Sequence, residues 1–328
     1  MSPLPNFFLV GAPKAGTTAF LRYLEQHPAV FVSPIKEPAF FAPEILDMQG
    51  VRERVSRDRE ALQRYLDRPV LERRESGIVL EWEQYLKLFK GVRQETAIGE
   101  GSVSYLASPG AAAAIRSCLP AARILMILRD PADRLRSSWG ALLAAGATSR
   151  GFSDWLSAQV ERERILAPTL GPVGTGFYAG QVQRYYDTFP AKQIKIILYD
   201  DYVRNPQAAL REVSAFLGVD RGWACDLTRR HNVNLVPKWP QLHRLARPIR
   251  RAVRFVLPGS LVTALHDRWY RPFRPAIAPD ERAKAVAVYS DDIRSLAKLI
   301  ERDLSSWLDS MQPSCCADKS GESPSTGR

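Results

Sequence analysis

Phe7-Phe8-Leu9-Val10-Gly11-Ala12-Pro13-Lys14-Ala15-Gly16-Thr17-Thr18-Ala19-Phe20-Leu21 is the stretch whose reading decides the fold. Phe7 to Val10 is a short unbroken apolar run, suited to a buried strand. Gly11 to Thr17 reads as a loop. Thr18 to Gln26 places Phe20, Leu21 and Leu24 at helical spacing, and Pro28 ends that helix. A strand, a glycine loop and a helix in this order make a phosphate cradle, because the first amides of a helix have no partner within it. The common pattern is G-x-x-x-x-G-K-[ST]. Gly11, Gly16 and Thr18 match it, but Thr17 stands where lysine is usual and a lysine lies inside the loop, at Lys14. A plain glycine turn is the alternative reading. Strand, loop, lysine and helix together outweigh it.

Outward from this stretch the chain alternates strands and helices. Val30 to Val32, Ala97 to Gly99, Arg123 to Leu128 and Ile194 to Tyr199 read as strands, with Ile124 to Leu128 the best central one. Asp130-Pro131 opens a helix with Asp130 as N-cap and Pro131 at the first helical position. Further helices are expected near 153–166, over Tyr178 to Phe189, over Pro206 to Leu217, and from about Asp280 to Leu308. Residues 43–95 are highly charged and mostly helical in pattern. This alternation predicts an α/β fold, P-loop-like, in three α/β/α layers around a central, mainly parallel sheet. One domain is expected over residues 1–311. Residues 43–95 and 229–274 serve in it as cover or substrate-side elements, and the Ser-, Pro- and Gly-rich tail 312–328 is read as disordered.

Phosphoryl-transfer enzymes with such a loop hold Mg²⁺ through an acid after an apolar strand. Here the strand ends in Arg129, followed by Asp130. A guanidinium at that point suits a second phosphate, since its planar fork binds such groups bidentately. Asp130 is read as a cap rather than a metal ligand. The site therefore looks built for a nucleotide with two separated anionic groups, with no metal required.

Composition bounds the rest. The chain has 328 residues, 45% of them hydrophobic, which is enough for an ordinary core and excludes a fibrous or wholly disordered chain. The four cysteines include no C-x-x-C; Cys315 and Cys316 are adjacent in the tail. No apolar run approaches the ~18 residues needed to span a bilayer. The first ten residues lack the basic start of a signal peptide. A cytoplasmic protein is expected. The net charge of +11 is concentrated: residues 229–274 hold eleven Arg/Lys and one acid, Asp267. Such an excess suggests an acidic polymer, phosphate groups or an inner-membrane surface as partner, or simply a solvated face. Pro248 to Pro258 reads as a short basic amphipathic helix, able to pack on the protein itself or lie peripherally on an acidic membrane.

With both motifs on the page, the sequence resembles the sulfotransferases that use 3′-phosphoadenosine-5′-phosphosulfate (PAPS), nearest the branch of heparan sulfate and bacterial enzymes. The resemblance covers roughly residues 5–308. By it, the loop Pro13-Lys14-Ala15-Gly16-Thr17-Thr18 binds the 5′-phosphosulfate. Arg129 and Ser137, in Ile127 to Ser138, bind the 3′-phosphate. Lys36-Glu37-Pro38-Ala39-Phe40-Phe41 matches an E-x-x-F-F element, which makes Glu37 the general base and Lys14 the group that stabilises the leaving phosphate oxygen. Phe40 and Phe41 are expected to pack beneath that loop. A surface acid paired with Lys36 is the alternative for Glu37. The late nucleotide-gripping loop is matched loosely around His231 to Lys238, with Lys238 and Arg230 as candidates. Gly99 to Leu106 departs from the heparan sulfate pattern, since Gly101 stands where those enzymes have a lysine. Glu100 either lines the acceptor site or is a buried hydrogen-bonding acid. The resemblance implies sulfuryl transfer from PAPS to a hydroxyl, or less readily an amine, of a glycan, lipid or metabolite, with no metal and no nucleic acid involved. Two other classes stay open: a P-loop kinase or hydrolase, and a polyanion- or membrane-surface binder.

Overall fold

The computed structural model describes residues 3–47, 50–74, 77–166, 170–228, 235–237, 270–272 and 277–310. Its centre is a parallel sheet of five strands: β1 Phe7–Gly11, β2 Val30–Val32, β3 Ala97–Gly101, β4 Arg123–Leu128 and β5 Ile194–Leu198. The order across the sheet is β2-β3-β1-β4-β5, and every neighbouring pair is parallel. The two unbroken apolar runs become β1 and β4, and both are buried along nearly their whole length. An interior strand of a sheet covered on both faces needs such a run.

Side chains alternate across a strand, so neighbours on β1 report on opposite faces. Phe8 meets the ring of Tyr105 in α4, Ser104–Ala107. Leu9 lies on the side of Leu21 in α1, Thr17–Leu24. Around α4 lie α5 Ala111–Cys118 and α8 Tyr178–Thr188. Beside α1 lies α10 Pro206–Leu217, capped by Asn205 through the Ala208 amide and closed by Gly218 on left-handed backbone. Helix, sheet and helix thus form the three expected layers. α6 Pro131–Ala144, α7 Phe152–Leu166 and α9 Tyr199–Arg204 complete the middle of the chain. α11 Pro279–Leu299 packs on α6 and α8, and α12 Ser305–Leu308 follows it.

Three departures from the sequence reading have physical causes. The helices α4 and α5 lie where no element was expected. Ser108-Pro109-Gly110 breaks the run between them, leaving two pieces too short to show a periodic face. The charged segment 43–95 contains a 3₁₀ turn at Pro43–Asp47, α2 Val51–Leu66 and α3 Trp82–Lys87, with irregular chain elsewhere. The late helix stops at Leu299 rather than running to 308. An antiparallel pair joins β6 Leu235–Pro237 to β7 Tyr270–Pro272. The remainder of 229–274, including Arg230, Lys238 and the basic stretch Pro248 to Pro258, lies outside the described residues, as does the tail 312–328. Among the described residues no helix is long and apolar enough to cross a membrane.

Candidate active site

In an open parallel sheet, ligands sit at the carboxyl ends of the strands where the winding reverses. Here β1 sends the chain toward β2 and β3, while its neighbour β4 sends it toward β5. The crevice between the ends of β1 and β4 holds the glycine loop and Arg129. The Ala12 amide donates to the Ile127 carbonyl at 2.7 Å, and the Ala15 amide donates back to Ala12 at 3.2 Å. Gly16 caps α1 at φ +75°, a conformation that disfavours any Cβ; no side chain caps the helix start, and its first turn carries no acid. The amides of Thr17 and Thr18 are first-turn donors without an intrahelical acceptor.

Lys14 also stands on left-handed backbone, at φ +66°. Its carbonyl accepts a hydrogen bond from Arg129 Nη1 at 3.0 Å. Arg129 in turn lies 4.6 Å over the ring of Tyr199, and its own carbonyl accepts from the Tyr178 hydroxyl at 3.1 Å. Burial lowers the pKa of the Lys14 ammonium, and the charges of Arg129 and Lys36 lower it further. Three cations therefore converge on one loop and repel each other there. An anion relieves that repulsion.

Asp130 caps α6 as expected, accepting from the amides of Ala132 at 2.8 Å and Asp133 at 3.3 Å. It is also committed to an ion pair: Arg282 of α11 reaches Asp130 at 2.6 Å and Asp133 at 3.3 Å, with all three side chains buried. Burial and the neighbouring Asp133 push the Asp130 carboxyl up, and Arg282 pulls it back. The capping role is thereby accounted for. Ser137 lies in the second turn of α6 and is half-buried. Strand β6, just before Lys238, lies against α6.

Glu37 lies beyond the end of β2, on left-handed backbone at φ +60°, and Ala39 follows at +53°. The Glu37 amide donates to the Gly101 carbonyl at 3.1 Å. Its carboxylate accepts from the Val103 amide at 3.0 Å and pairs with Lys36 at 3.0 Å. The pair with Lys36 is thus present, yet Glu37 is no solvated surface acid: it is docked against the end of β3. Lys36 links the two loops, since it pairs with Glu37 and also acts on Lys14. Phe41 packs edge-on to Phe8 of β1, and Phe40 stacks on Tyr85 of α3 with ring centres 4.8 Å apart. Glu37 also lines a cleft of about 130 Å³ whose walls include Ile45, Arg54, Asp58, Arg74 and Ile78. The charged segment 43–95 thus forms one wall of the space in front of Glu37.

Glu100 resolves as the buried hydrogen-bonding acid. It is fully buried, and its carboxylate accepts from Tyr105 at 2.6 Å, Ser102 at 2.7 Å and Tyr85 at 3.3 Å. Burial pushes its pKa up to about 7 against the pull of those three hydroxyls. At Gly101 a Cβ would come within 2.4 Å of Leu21 Cδ1, so a lysine there would require Leu21 to turn away. Sequence reasoning missed Tyr178, Tyr199, Ser102, Tyr105 and Arg282. The position of Tyr199, directly after the end of β5, was the one available signal.

A parallel α/β sheet with a donor-lined loop and converging cations at its carboxyl edge defines a class: proteins that bind a phosphorylated group-transfer substrate. Within that class the chain belongs to the sulfotransferase family, whose model matches residues 5–224. The solved sulfotransferase from Alicyclobacillus acidocaldarius is 30% identical and superposes with a TM-score of 0.67 over 94% of this chain and 100% of that one. Human carbohydrate sulfotransferase 15 is 24% identical over 292 residues, 76% of this chain and 52% of the relative. Human bifunctional heparan sulfate N-deacetylase/N-sulfotransferase 2 is 27% identical over 229 residues, 66% of this chain and 22% of the relative. The chain thus spans about half the length of the first of these human relatives and about a fifth of the second.

Proposed function

We propose that this protein transfers a sulfuryl group from PAPS to a hydroxyl of a carbohydrate acceptor. The convergence of Lys14, Arg129 and Lys36 on an acid-free glycine loop carries the reading. A donor bearing a 5′-phosphosulfate and a 3′-phosphate fits this site, because Lys14, Arg129 and the first-turn amides of α1 supply positive charge and N–H donors. Family membership and the names of the human relatives support the reaction class and a glycan acceptor.

In this mechanism the amides of Gly16, Thr17 and Thr18 hold the 5′-phosphate beside Ala15, and the threonine hydroxyls add to them. Arg129 and Ser137 hold the 3′-phosphate, with Lys238 a further contributor. The acceptor hydroxyl enters from the cleft beside α2, and the Glu37 carboxylate takes its proton. A new S–O bond forms to the acceptor oxygen as the S–O bond to the phosphate oxygen breaks. Lys14 stabilises the charge left on that oxygen, and adenosine 3′,5′-bisphosphate departs. A hydroxyl is a weak nucleophile until a base within hydrogen-bond reach accepts its proton.

The test is thermal stability with adenosine 3′,5′-bisphosphate and with ATP, each with and without Mg²⁺. A ligand at about 100 times its dissociation constant stabilises by about 2.7 kcal/mol. Metal-independent stabilisation by the bisphosphate, lost in Arg129→Ala, is expected. A response only to ATP with Mg²⁺ sinks the proposal in favour of a kinase. Transfer of radiolabelled sulfuryl groups to desulfated heparan sulfate then tests the acceptor class.

A further inference from the structure

We infer that Glu100 is a positioning residue for the reaction: its buried carboxylate orients the Ser102 and Tyr105 hydroxyls that hold the Glu37 loop in place. This rests on the reading of Glu37 as the base. The geometry is a two-layer relay. In the inner layer, Ser102 Oγ donates to Glu100 Oε2 at 2.7 Å and Tyr105 Oη donates to Glu100 Oε1 at 2.6 Å. In the outer layer, the Ala39 amide donates to Ser102 Oγ at 3.0 Å and the Phe41 amide donates to Tyr105 Oη at 3.3 Å. A hydroxyl has one proton and two lone pairs. Once both protons are drawn inward by the carboxylate, both sets of lone pairs face the loop amides.

The loop needs such an anchor. Glu37 and Ala39 both stand at positive φ, where non-glycine residues stay only when their surroundings hold them. The amide of Ala39 and the amide of Phe41, two residues on, are bound by the relay, while Glu37 itself is bound to the main chain of Gly101 and Val103. Glu100 sits on the same strand, adjacent to Gly101. Replacing Glu100 by glutamine keeps the shape but puts an NH₂ donor against one hydroxyl. At Tyr105, whose O–H lies in the ring plane, the proton then turns toward the Phe41 amide, so that two donors face each other; at Ser102 the hydroxyl loses its acceptor and is no longer held in one orientation. Tyr85 supplies an internal control: its hydroxyl donates to the same carboxylate at 3.3 Å but receives no loop amide among the described residues.

The experiment compares Glu100→Gln, Ser102→Ala, Tyr105→Phe and Tyr85→Phe, each alone and in a Glu37→Gln background. At pH 8, where Glu100 is ionised, it measures transfer from PAPS to desulfated heparan sulfate, amide exchange at Ala39 and Phe41, and stabilisation by adenosine 3′,5′-bisphosphate. The bisphosphate response shows that each variant folds with its donor loop intact. For Glu100→Gln, kcat is expected to fall about 10- to 100-fold, the scale of a misplaced catalytic group, with KM for the acceptor nearly unchanged. Exchange at Ala39 and Phe41 is expected to quicken about tenfold. Ser102→Ala and Tyr105→Phe follow in the same direction, and Tyr85→Phe leaves kcat unchanged. In the Glu37→Gln background the Glu100 substitution costs nothing more, because it acts through Glu37. An unchanged kcat in Glu100→Gln, or effects of the two substitutions that multiply independently, overturns the positioning role alone. Full activity in Glu37→Gln overturns it together with the base assignment. If the wild type transfers nothing to this acceptor, amide exchange decides: unchanged protection at Ala39 and Phe41 in Glu100→Gln overturns the relay, and lost protection upholds it. Should Glu100→Gln not fold, Ser102→Ala and Tyr105→Phe, which leave the carboxylate in place, carry the same test.

Discussion

Lys14 and Glu37 both stand on left-handed backbone, at φ +66° and +60°, yet the two loops that carry them are held differently. The donor loop is fixed by main chain. Its bonds run from Ala12 to Ile127 and from Ala15 to Ala12, and even Arg129 grips it through the Lys14 carbonyl. The base loop has main-chain bonds as well, at Lys36, Glu37 and Pro38, but its Ala39 and Phe41 amides are held by side chains about sixty residues away, Ser102 and Tyr105, with the buried acid behind them. The difference teaches where each half of the site is vulnerable. Main-chain bonds survive most substitutions, so the donor loop depends on its few charged groups. The base loop depends also on fully buried residues behind it.

The largest test of this contrast is Glu37→Gln. It is expected to lower kcat by roughly 10²–10⁴, the worth of a positioned general base, while bisphosphate stabilisation stays intact. A loss of bisphosphate response in this variant would mean that the two corners are not separable. Arg282→Ala comes next. It strands Asp130 and Asp133 as buried carboxylates, and chemical denaturation should show a loss of about 3–5 kcal/mol. Lys14→Ala, acting on the donor side alone, is expected to cost roughly 10²–10³ in kcat, with the fold and the Glu37 loop undisturbed by amide exchange.

A smaller effect reports on the base side through pH. Glu100 is raised in the fold from 4.5 to about 7, so folding favours its protonated form. Its contribution to stability is fully present below pH 4.5 and is lost as the pH climbs through about 7. The loss amounts to about 3 kcal/mol, from 1.36 kcal/mol per pK unit. Glu100→Gln should flatten that slope in denaturation curves taken at pH 5 and pH 8; an unaltered slope would show that another group is responsible. Smallest is Arg59→Ala. Its pair with Glu81 is solvent-exposed, so stability should change by less than about 1 kcal/mol and neither corner should respond.

The same contrast governs what could be read in the sequence. The strands Val30–Val32 and Arg123–Leu128 and the helix Pro206–Leu217 coincide with their expected ranges, because each is bounded by local signals: a short apolar run, a capping residue, a proline. The positions of the glycine loop and of Arg129 were legible for that reason, since each follows a recognisable strand. Ser102 and Tyr105 were not legible as supports, since nothing local says that their hydroxyls face Ala39 and Phe41. Arg282 was equally hidden, because its partners lie about 150 residues earlier in the chain. Glu100 was left between two roles, and only its burial decides between them. The cleft wall on α2 was seen as charged chain without a discernible face, because a helix exposed along most of its length shows no strong apolar stripe.

The ion cluster of Arg282 with Asp130 and Asp133 also bears on how the chain comes off the ribosome. Synthesis is vectorial, and Arg129 and the cap of α6 emerge well before residue 282. Until α11 is made, Asp130 and Asp133 lack the guanidinium that pairs with both of them in the fold, and burying them without it carries a penalty. The glycine loop can be complete on the nascent chain while its phosphate-facing neighbour is not. The turn that carries Arg129 thus depends for its final packing on a helix made late in the chain.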